Sequence, residues 1–402
     1  MSTPARAALL GGRLGHLSDA RTLGSAGIAF GALAFWLALP PWTLRTVGPS
    51  IALGIVAIAC GIAAVPRGER RVGWGAIVVG VLGTVGAIWL QGVQEETLKN
   101  ILTAGLLAST LRFATPLAFA AMGGIFSERS GVVNIGLEGM MLMGAFFAVW
   151  GADLTGSWIL AILIAAGAGG AMGLLHAIFS VTLRTDQIVG GTAINFLALG
   201  ITSYLFFKLY GQHGTPSEIS TIPDVHLAFL GNGFFGDVFG HLNVMIWAGI
   251  VLVGVTWVFV FKTRLGLRIR ACGEHPRAAD TVGINVYAVR YAAVTFSGVL
   301  AAAGGAYLSI GFGNSFTENM TAGRGFIALA ALIFGNWRPF GAAAACLLFG
   351  FSSALGVNLQ AYSTSISTLF TALPYLLTLV AVAGVIGRTI PPAADGIPYK
   401  KQ

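Results

Sequence analysis

Charged residues are scarce in this sequence: 9% of its 402 residues are Asp, Glu, Lys or Arg, and 56% are hydrophobic. Soluble globular domains carry about 25% charged residues, and a surface as apolar as this composition dictates could not face water. The 57 glycines do not indicate a collagen-like or disordered chain, because there is no Gly-X-Y period and only 14 prolines are present. The composition predicts a protein whose solvent is the lipid bilayer.

Motifs for metal binding, nucleophilic catalysis and ATP binding are also missing from the sequence. The three cysteines, Cys60, Cys272 and Cys346, lie far apart, and the six histidines are scattered with no HExxH spacing. No Ser/His, Cys/His or paired-Asp constellation falls at membrane depth, which argues against an intramembrane enzyme. No GxxxxGK(S/T) phosphate loop occurs, so ATP hydrolysis of the P-loop kind must belong to another polypeptide.

The sequence has instead a series of long apolar runs. A helix needs about 20 residues to cross the ~30 Å hydrocarbon layer, and runs of that kind recur along the chain. They fall at residues 24–40, 47–65, 72–91, 101–126, 132–152, 157–182, 188–207, 244–261, 291–312, 325–336, 340–358 and 367–387. The pattern predicts an all-α integral membrane protein, a polytopic helix bundle of about 11–12 transmembrane segments. Small residues spaced four apart, as at Gly27 and Gly31 or Gly169 and Gly173, predict close helix packing.

Lys and Arg are concentrated on one side of these segments. The loops that contain Arg67, Arg129 and Arg184 share that side. So do residues 262–290 and both termini, whereas acidic residues prevail in the opposite loops, above all in residues 208–243. By the positive-inside rule, both termini are expected in the cytoplasm. The formal net charge of +8 therefore reflects membrane topology, and no nucleic-acid partner is predicted.

The chain changes character at residue 97. Residues 1–96 contain three apolar runs of plain small and aliphatic residues with almost no polar group inside them, which predicts an N-terminal extension of three transmembrane helices. Further on, polar side chains appear inside the apolar runs, so residues 97–390 are expected to form the functional core. Residues 391–402 are expected to be a cytoplasmic tail.

Two glycine-rich stretches carry polar residues into the membrane. Residues 127–140 turn at the membrane edge and re-enter it, and Asn134 and Glu138 are spaced i, i+4, which predicts a shared helix face with Glu138 about 15 Å deep. Gly131, Gly136 and Gly139 also favour a break in this helix. An intramembrane carboxylate costs at least ~2.5 kcal/mol, so Glu138 must be paired, hydrated or protonated. Residues 184–195 repeat the pattern, with Asn195 about 13 Å deep. We expect these three residues to line the substrate path, and a structural tie between helices is the alternative for each.

A short helix is predicted within the basic loop at residues 262–290. Pro276 suits the first turn of a helix and Gly283 its end, so about two turns of helix are expected between them. Ala278 and Ala279 leave a low surface that the groove of another protein could accept. From these residues alone, the alternative is a loop that only determines topology.

Four motifs give the sequence a family resemblance. They are ATPLAFAAMGGIFSERSGVVNIGLEGMMLMGAFFA at 114–148, RTDQIVGGTAIN at 184–195, GEHPRAADTVGIN at 273–285 and GRGFIALAALIFGNWRPFGA at 323–342. Over residues 100–388 the chain resembles the permease subunits of bacterial ABC importers for sugars, branched-chain amino acids and nucleosides, most closely the nucleoside branch. The resemblance implies a type II ABC importer-like permease core, to which the three N-terminal segments are additional.

The resemblance also implies partners and a role for the 273–285 loop. In the family this loop is the coupling helix that docks on the ATPase subunit, so the candidate coupling residues are Glu274, Pro276, Arg277, Ala278, Ala279, Asp280 and Gly283. The implied assembly contains ABC ATPase subunits, a second related permease subunit and an extracellular substrate-binding lipoprotein. ATP and magnesium would bind the ATPase subunits, and this chain would bind no cofactor and no metal. The implied location is the bacterial cytoplasmic (inner) membrane.

The expected function is that of a transmembrane permease subunit of an ATP-driven importer, forming the path for a small polar solute of the nucleoside class. Such a subunit transports and is not itself an enzyme. A sugar or branched-chain amino acid permease is the alternative within the family. An ion-coupled secondary transporter is the alternative outside it, since Glu138 could serve as a proton or sodium site beside a helix break.

Overall fold

A computed structural model of the chain describes residues 20–36, 48–92, 103–211, 214–216, 218–227, 231, 233–359, 372 and 390–401. The described residues are almost entirely helical, as expected for a chain whose backbone polar groups must be satisfied inside a membrane. The chain divides into two compact units. The first consists of Met1–Thr103 and Leu379–Gly387, and the second of Ala104–Thr378 and Arg388–Gln402.

The first unit contains three described helices that all pack against one another, α1 (Ala20–Trp36), α2 (Gly48–Ala64) and α3 (Arg70–Gly92). Glycines mark the closest approaches. A Cβ added at Gly31 on α1 would lie 2.8 Å from the backbone of Gly80 on α3, and one added at Gly27 would lie 2.8 Å from Ala76. The close packing predicted from the spacing of Gly27 and Gly31 is therefore confirmed, and van der Waals contact between small residues holds these helices together.

The second unit contains eleven helices within its described residues. They are α4 (Ala104–Arg129), α5 (Leu137–Thr155), α6 (Trp158–Ala177), α7 (Gln187–Tyr210), α8 (Phe234–Phe239), α9 (Val244–Lys262), α10 (Arg264–Glu274), α11 (Pro276–Thr281), α12 (Val286–Ala306), α13 (Arg324–Phe334) and α14 (Pro339–Leu359). π-Helical turns extend α6 through Ile178–Thr182 and α12 through Tyr307–Gly313. Strands β1 (Asp224–His226) and β2 (His241–Asn243) form one antiparallel hairpin.

Helices α4, α5 and α12 form the centre of the second unit, and α7 and α9 are largely exposed at its periphery. Small residues again allow the central contacts. A Cβ added at Gly169 on α6 would lie 2.2 Å from that of Ala302 on α12, and one at Gly173 would lie 2.7 Å from the carbonyl oxygen of Val294. The predicted packing at Gly169 and Gly173 is thus confirmed too. The exposed apolar faces of α7 and α9 suit lipid or another membrane helix.

Seven helices within the described residues are long and apolar enough to cross a membrane, and the chain is a multi-pass membrane protein. The three helices of the first unit are also apolar. The segment expected at 325–336 differs from the prediction: α13 has 11 residues, about 16 Å of helix, which is half the hydrocarbon thickness. Hydropathy identified its apolar character but could not show that it begins inside the protein. The segment expected at 367–387 lies outside the described residues, except for position 372.

The second unit has two distinguishable ends. Arg129, the last residue of α4, lies 3.8 Å from Glu274 at the end of α10. Arg112, 17 residues earlier on α4 and thus about 25 Å away along the helix, donates a hydrogen bond to the backbone carbonyl of His241 in the β-hairpin (3.3 Å). We call the end that carries α10 and α11 the loop end and the end that carries β1 and β2 the hairpin end.

Candidate functional site

The chain turns back sharply after α4. The backbone N–H groups of Ser130 and Val132 both donate to the carbonyl of Ser127, whose hydroxyl donates in turn to the carbonyl of Val132 (2.7 Å). Gly131, in the middle of this turn, has φ of 91°, a left-handed conformation that glycine adopts without strain. These local hydrogen bonds end α4 at Arg129 and begin a non-helical segment of seven residues.

Asn134 and Glu138 lie on either side of the start of α5. Because α5 begins at Leu137, Asn134 belongs to the loop and Glu138 to the first helical turn. The expectation that these two residues share one helix face is therefore wrong, and the 15 Å depth calculated from a continuous helix does not apply, whereas the helix break expected in this glycine-rich stretch is confirmed. Asn134 is fully buried, and its Nδ2 donates to the hydroxyl of Ser297 on α12 (2.9 Å).

The carboxylate of Glu138 caps the buried start of α13. Its Oε1 accepts a hydrogen bond from the backbone N–H of Gly323 (2.7 Å), and its Oε2 accepts one from Gly325 (2.6 Å). The N-terminus of a helix carries unpaired N–H groups and a partial positive charge, so a carboxylate is well placed there. The contact leaves no room for a side chain at position 325, since a Cβ added to Gly325 would lie 2.4 Å from Cα of Glu138.

Asn195 joins α7 to the same segment. Its Oδ1 accepts a hydrogen bond from the backbone N–H of Gly139 (2.8 Å), and its Nδ2 donates to the carbonyl of Ile135 (3.0 Å). The three residues predicted for the substrate path, Asn134, Glu138 and Asn195, thus converge on residues 134–139. The contacts fix this segment to α7, α12 and α13, and the part of these residues in a substrate path stays a prediction.

Two further polar residues hold the loop, and sequence reasoning did not assign them to it. His176, at the end of α6, places its Nε2 3.0 Å from the carbonyl of Val133, and Oε1 of Gln187 accepts from the N–H of the same residue (2.7 Å). Both side chains are buried. His176 had a visible signal, a polar residue inside an apolar run, whereas Gln187 lies at the polar edge of a motif where nothing distinguishes it from its neighbours.

The predicted helix in the basic loop is present as α11, which begins at Pro276 and ends at Thr281. The next glycine, Gly283, has φ of 83° and follows the helix end as expected. Its two alanines differ, however: Ala278 is exposed, whereas Ala279 is buried at 3% exposure. The expectation of a low surface formed by both alanines is wrong, because α11 turns one of them toward the protein.

The candidate coupling residues differ in their contacts. Arg277 and Ala278 are exposed. Glu274 is also exposed but lies 3.8 Å from Arg129 on α4, and Asp280 lies 3.6 Å from the ammonium group of Lys401. The contacts of Glu274 and Asp280 attach α10 and α11 to the rest of the unit.

The C-terminal segment, residues 390–401, packs on the loop end. Its backbone N–H groups donate to Oδ1 of Asn336 from residue 390 (2.9 Å), to Oε2 of Glu274 from residue 393 (3.2 Å) and to the carbonyl of Gly273 from residue 394 (2.8 Å). Tyr399 is buried beside Ala279 in one apolar cluster. The residues expected to be a cytoplasmic tail are therefore in contact with both α10 and α11.

Buried charges underlie this contact. Glu128, at 2% exposure, accepts a hydrogen bond from the indole Nε1 of Trp337 (2.6 Å). Arg290, at 1% exposure, donates to backbone carbonyls of the turn after α4 (3.1 Å) and of the C-terminal segment (3.0 Å). Burial, and then the proximity of Glu128, raise the pKa of Asp395 to about 9.

Within the part of the chain that the structure describes, no three His, Cys, Asp or Glu side chains come together as metal ligands. The three cysteines carry free thiols, and burial raises the pKa of the Cys272 thiol to about 11. The site thus consists of hydrogen-bonding side chains, backbone amides at a helix start and an exposed loop helix.

Comparisons with known proteins show which proteins the chain is similar to. The family described as branched-chain amino acid transport system, permease component, matches residues 106–382. The chain is 43% identical to the guanosine ABC transporter permease protein NupQ of Bacillus subtilis and 40% identical to the nucleoside ABC transporter permease protein NupC of Lactococcus lactis, in each case over 74% of this chain and 96% of the relative. It is 32% identical to the putative glucose ABC transporter permease protein TsgC13 of Haloferax volcanii, over 71% of this chain and 93% of the relative. No solved structure matches the chain.

Proposed function

Because this chain belongs to the family of permease components of branched-chain amino acid and related ABC transport systems, we propose that it forms the path for nucleosides in an ATP-driven importer. The similarity to guanosine and nucleoside permeases along 96% of their length carries this proposal. The polar segment at residues 134–139 supports it, since a nucleoside has many hydrogen-bonding groups that a purely apolar path would leave unsatisfied.

Energy would reach this chain through α11. Arg277 and Ala278 form its exposed side and would dock on an ABC ATPase subunit, which binds ATP and magnesium, while this chain takes no cofactor. Movement of α11 would pass to α4 through the ion pair of Glu274 with Arg129 and to α12, which follows α11 directly in the chain.

The complete transporter would contain two ATPase domains, a second related permease subunit and an extracellular substrate-binding lipoprotein. The basic loop end would face the cytoplasm together with both termini, in the inner membrane of a bacterium. The hairpin end would then face the lipoprotein. Residues 97–390 would be the transport core and residues 1–96 an added helical extension, because the matched family begins only at residue 106.

Glucose is the second candidate substrate, favoured by the similarity to the putative glucose permease. An ion-coupled mechanism with Glu138 as the proton or sodium site is less well supported. Both of its carboxylate oxygens already accept hydrogen bonds from backbone N–H groups of Gly323 and Gly325, and a cation would have to displace them.

The test is uptake by the assembled complex in proteoliposomes. We expect ATP-dependent uptake of radiolabelled guanosine that unlabelled adenosine reduces and that excess glucose or leucine leaves unchanged. A complex whose ATPase subunit lacks its phosphate-loop lysine is the control and should not transport. Uptake that glucose or leucine abolishes would assign the chain to another substrate, and uptake driven by a proton or sodium gradient without ATP would contradict the importer mechanism.

A further inference from the structure

A cleft of about 250 Å³ opens at the hairpin end. Arg112 of α4, Asp224 of β1, Tyr307 and Phe312 of the π-helical turn, and Asn314 line it. The cleft is somewhat smaller than the ~300 Å³ at which ligand pockets begin, so a small molecule bound there would remain partly open to the outside. Asn134, which bonds to Ser297, lies level with Gly123 on α4, and Arg112 is 11 residues, or about 16 Å, farther along that helix.

The polar groups that line the cleft form few hydrogen bonds within the described part of the chain. Tyr307 is 1% exposed, and its hydroxyl has no hydrogen-bond partner among the described residues, although buried tyrosine hydroxyls usually find one. The carboxylate of Asp224 likewise has neither a hydrogen bond nor an ion pair within the described part of the chain. Arg112 makes one hydrogen bond, to the carbonyl of His241, which leaves most of its five donors available.

An aromatic surface lies beside these polar groups. Phe312 is 40% exposed, and its ring is held by an edge contact with Phe113 at 5.2 Å between centroids and by Tyr307 at 6.4 Å. A ring fixed in this way can stack on a planar ligand with little loss of side-chain freedom. The π-helical turn that carries Tyr307 and Phe312 is a rare conformation, and such turns occur frequently at functional sites.

We propose that this cleft is a reception site that binds one nucleoside at the hairpin end before it enters the path. Phe312 would stack on the base, Asp224 would accept hydrogen bonds from the ribose hydroxyls, and Arg112 would donate to acceptors on the edge of the base. Tyr307 would supply one more hydrogen bond. The choice of a nucleoside as the ligand rests on the proposed function. The cleft and its lining residues are observed independently of that function.

Photolabelling of the purified complex with 8-azidoguanosine, in the absence of the binding lipoprotein, tests this assignment. We expect the label on the peptide that contains residues 307–314, and we expect unlabelled guanosine but not glucose to compete with it. Phe312→Ala should lower the labelling about tenfold because it removes the stacking surface for the base. Asp224→Asn should lower it about tenfold because it removes a charged acceptor for the ribose hydroxyls. Phe235→Ala and Glu318→Gln alter an exposed phenylalanine and an exposed acid outside the cleft and should leave the labelling unchanged.

Failure of the cleft and failure of the proposed function give different results. If the parental complex takes up guanosine but residues 307–314 are not labelled, the cleft assignment is wrong and the function stands. If glucose competes with the label and guanosine does not, the nucleoside assignment is wrong for both the cleft and the proposed transport function. If the cleft variants abolish capture of the binding lipoprotein and leave the labelling intact, the cleft is a protein contact and the reception-site proposal fails.

Discussion

The two ends of the second unit use their polar residues in opposite ways. Toward the loop end, the buried charged side chains form hydrogen bonds within the protein. Glu138 bonds to the start of α13, Glu128 bonds to Trp337, and Arg290 bonds to two backbone carbonyls. At the hairpin end, Asp224 and the hydroxyl of Tyr307 line an open cleft, and neither group forms a hydrogen bond with the residues that the structure describes. The difference suggests that polar residues near the loop end maintain helix positions, whereas those at the hairpin end are available to a ligand.

The greatest loss of folded protein is expected when the contact between α13 and Glu138 is crowded. Gly325→Ala would place a methyl group 2.4 Å from Cα of Glu138, and neither backbone can yield easily in a packed interior. We expect loss of most of the monodisperse protein in detergent, measured by size-exclusion chromatography. Gly167→Ala is the matched control, because nothing lies within 4 Å of the added methyl group. Equal yields of the two variants would show that this contact does not hold the fold.

The second prediction separates the two faces of α11. Ala278→Arg adds a long charged side chain to the exposed face, so folding and membrane levels should persist while transport falls at least ~10-fold. Ala279→Arg adds the same side chain to the buried face, so the protein itself should become unstable. ATPase activity stimulated by the loaded lipoprotein measures the first effect, and thermal unfolding of the purified chain measures the second. Normal stimulation in the Ala278→Arg complex would refute the docking role of α11.

Substitutions of Glu138 are expected to have an intermediate effect on stability and uptake. Glu138→Ala leaves two buried N–H groups without acceptors, each at a cost of about 1–3 kcal/mol, whereas Glu138→Gln retains one acceptor oxygen. We expect the melting temperature to fall more for Ala than for Gln, and guanosine uptake to fall in the same order. Thermal unfolding and uptake are to be measured on the same preparations. If both variants keep the parental melting temperature and uptake, the contact of Glu138 with α13 contributes to neither. If uptake is lost while the melting temperature is unchanged, Glu138 belongs to the substrate path.

The smallest effect is expected at Asp395. Its pKa is raised from 3.8 to about 9 by burial and by Glu128, and Arg290 and Arg129 only partly oppose the shift. The docked segment therefore holds a proton that a released segment gives up, so docking is fully stable at low pH and weakens as pH rises between these two values. Protease protection of residues 390–401 should decline as the pH is raised from neutral to about 9 in the parental protein, but not in Asp395→Asn. Equal pH profiles would contradict the buried, protonated state of this carboxyl.

Local patterns predicted the helical membrane fold, the small-residue contacts and the start of α11 at Pro276. They failed where hydrogen bonds within a turn outweighed the helical spacing of the residues. The turn held by the hydroxyl of Ser127 leads into a loop that contains Asn134, whereas Glu138 lies in the helix that follows. They also gave no sign of the cleft, because Arg112, Asp224 and Phe312 are separated by up to 200 positions and meet only through the packing of α4, the hairpin and α12. The contact of residues 390–401 with α10 was invisible for the same reason.

The short length of α13 has an electrostatic consequence. A helix that begins inside a membrane protein presents a partial positive charge and open N–H groups, which attract anions such as phosphate. In this protein the carboxylate of Glu138 already occupies that position, so the start of α13 is neutralised by the chain itself. A phosphate group could therefore not bind at the start of α13, because Glu138 accepts hydrogen bonds from its N–H groups. A nucleoside carries no phosphate and does not require an anion-binding site there.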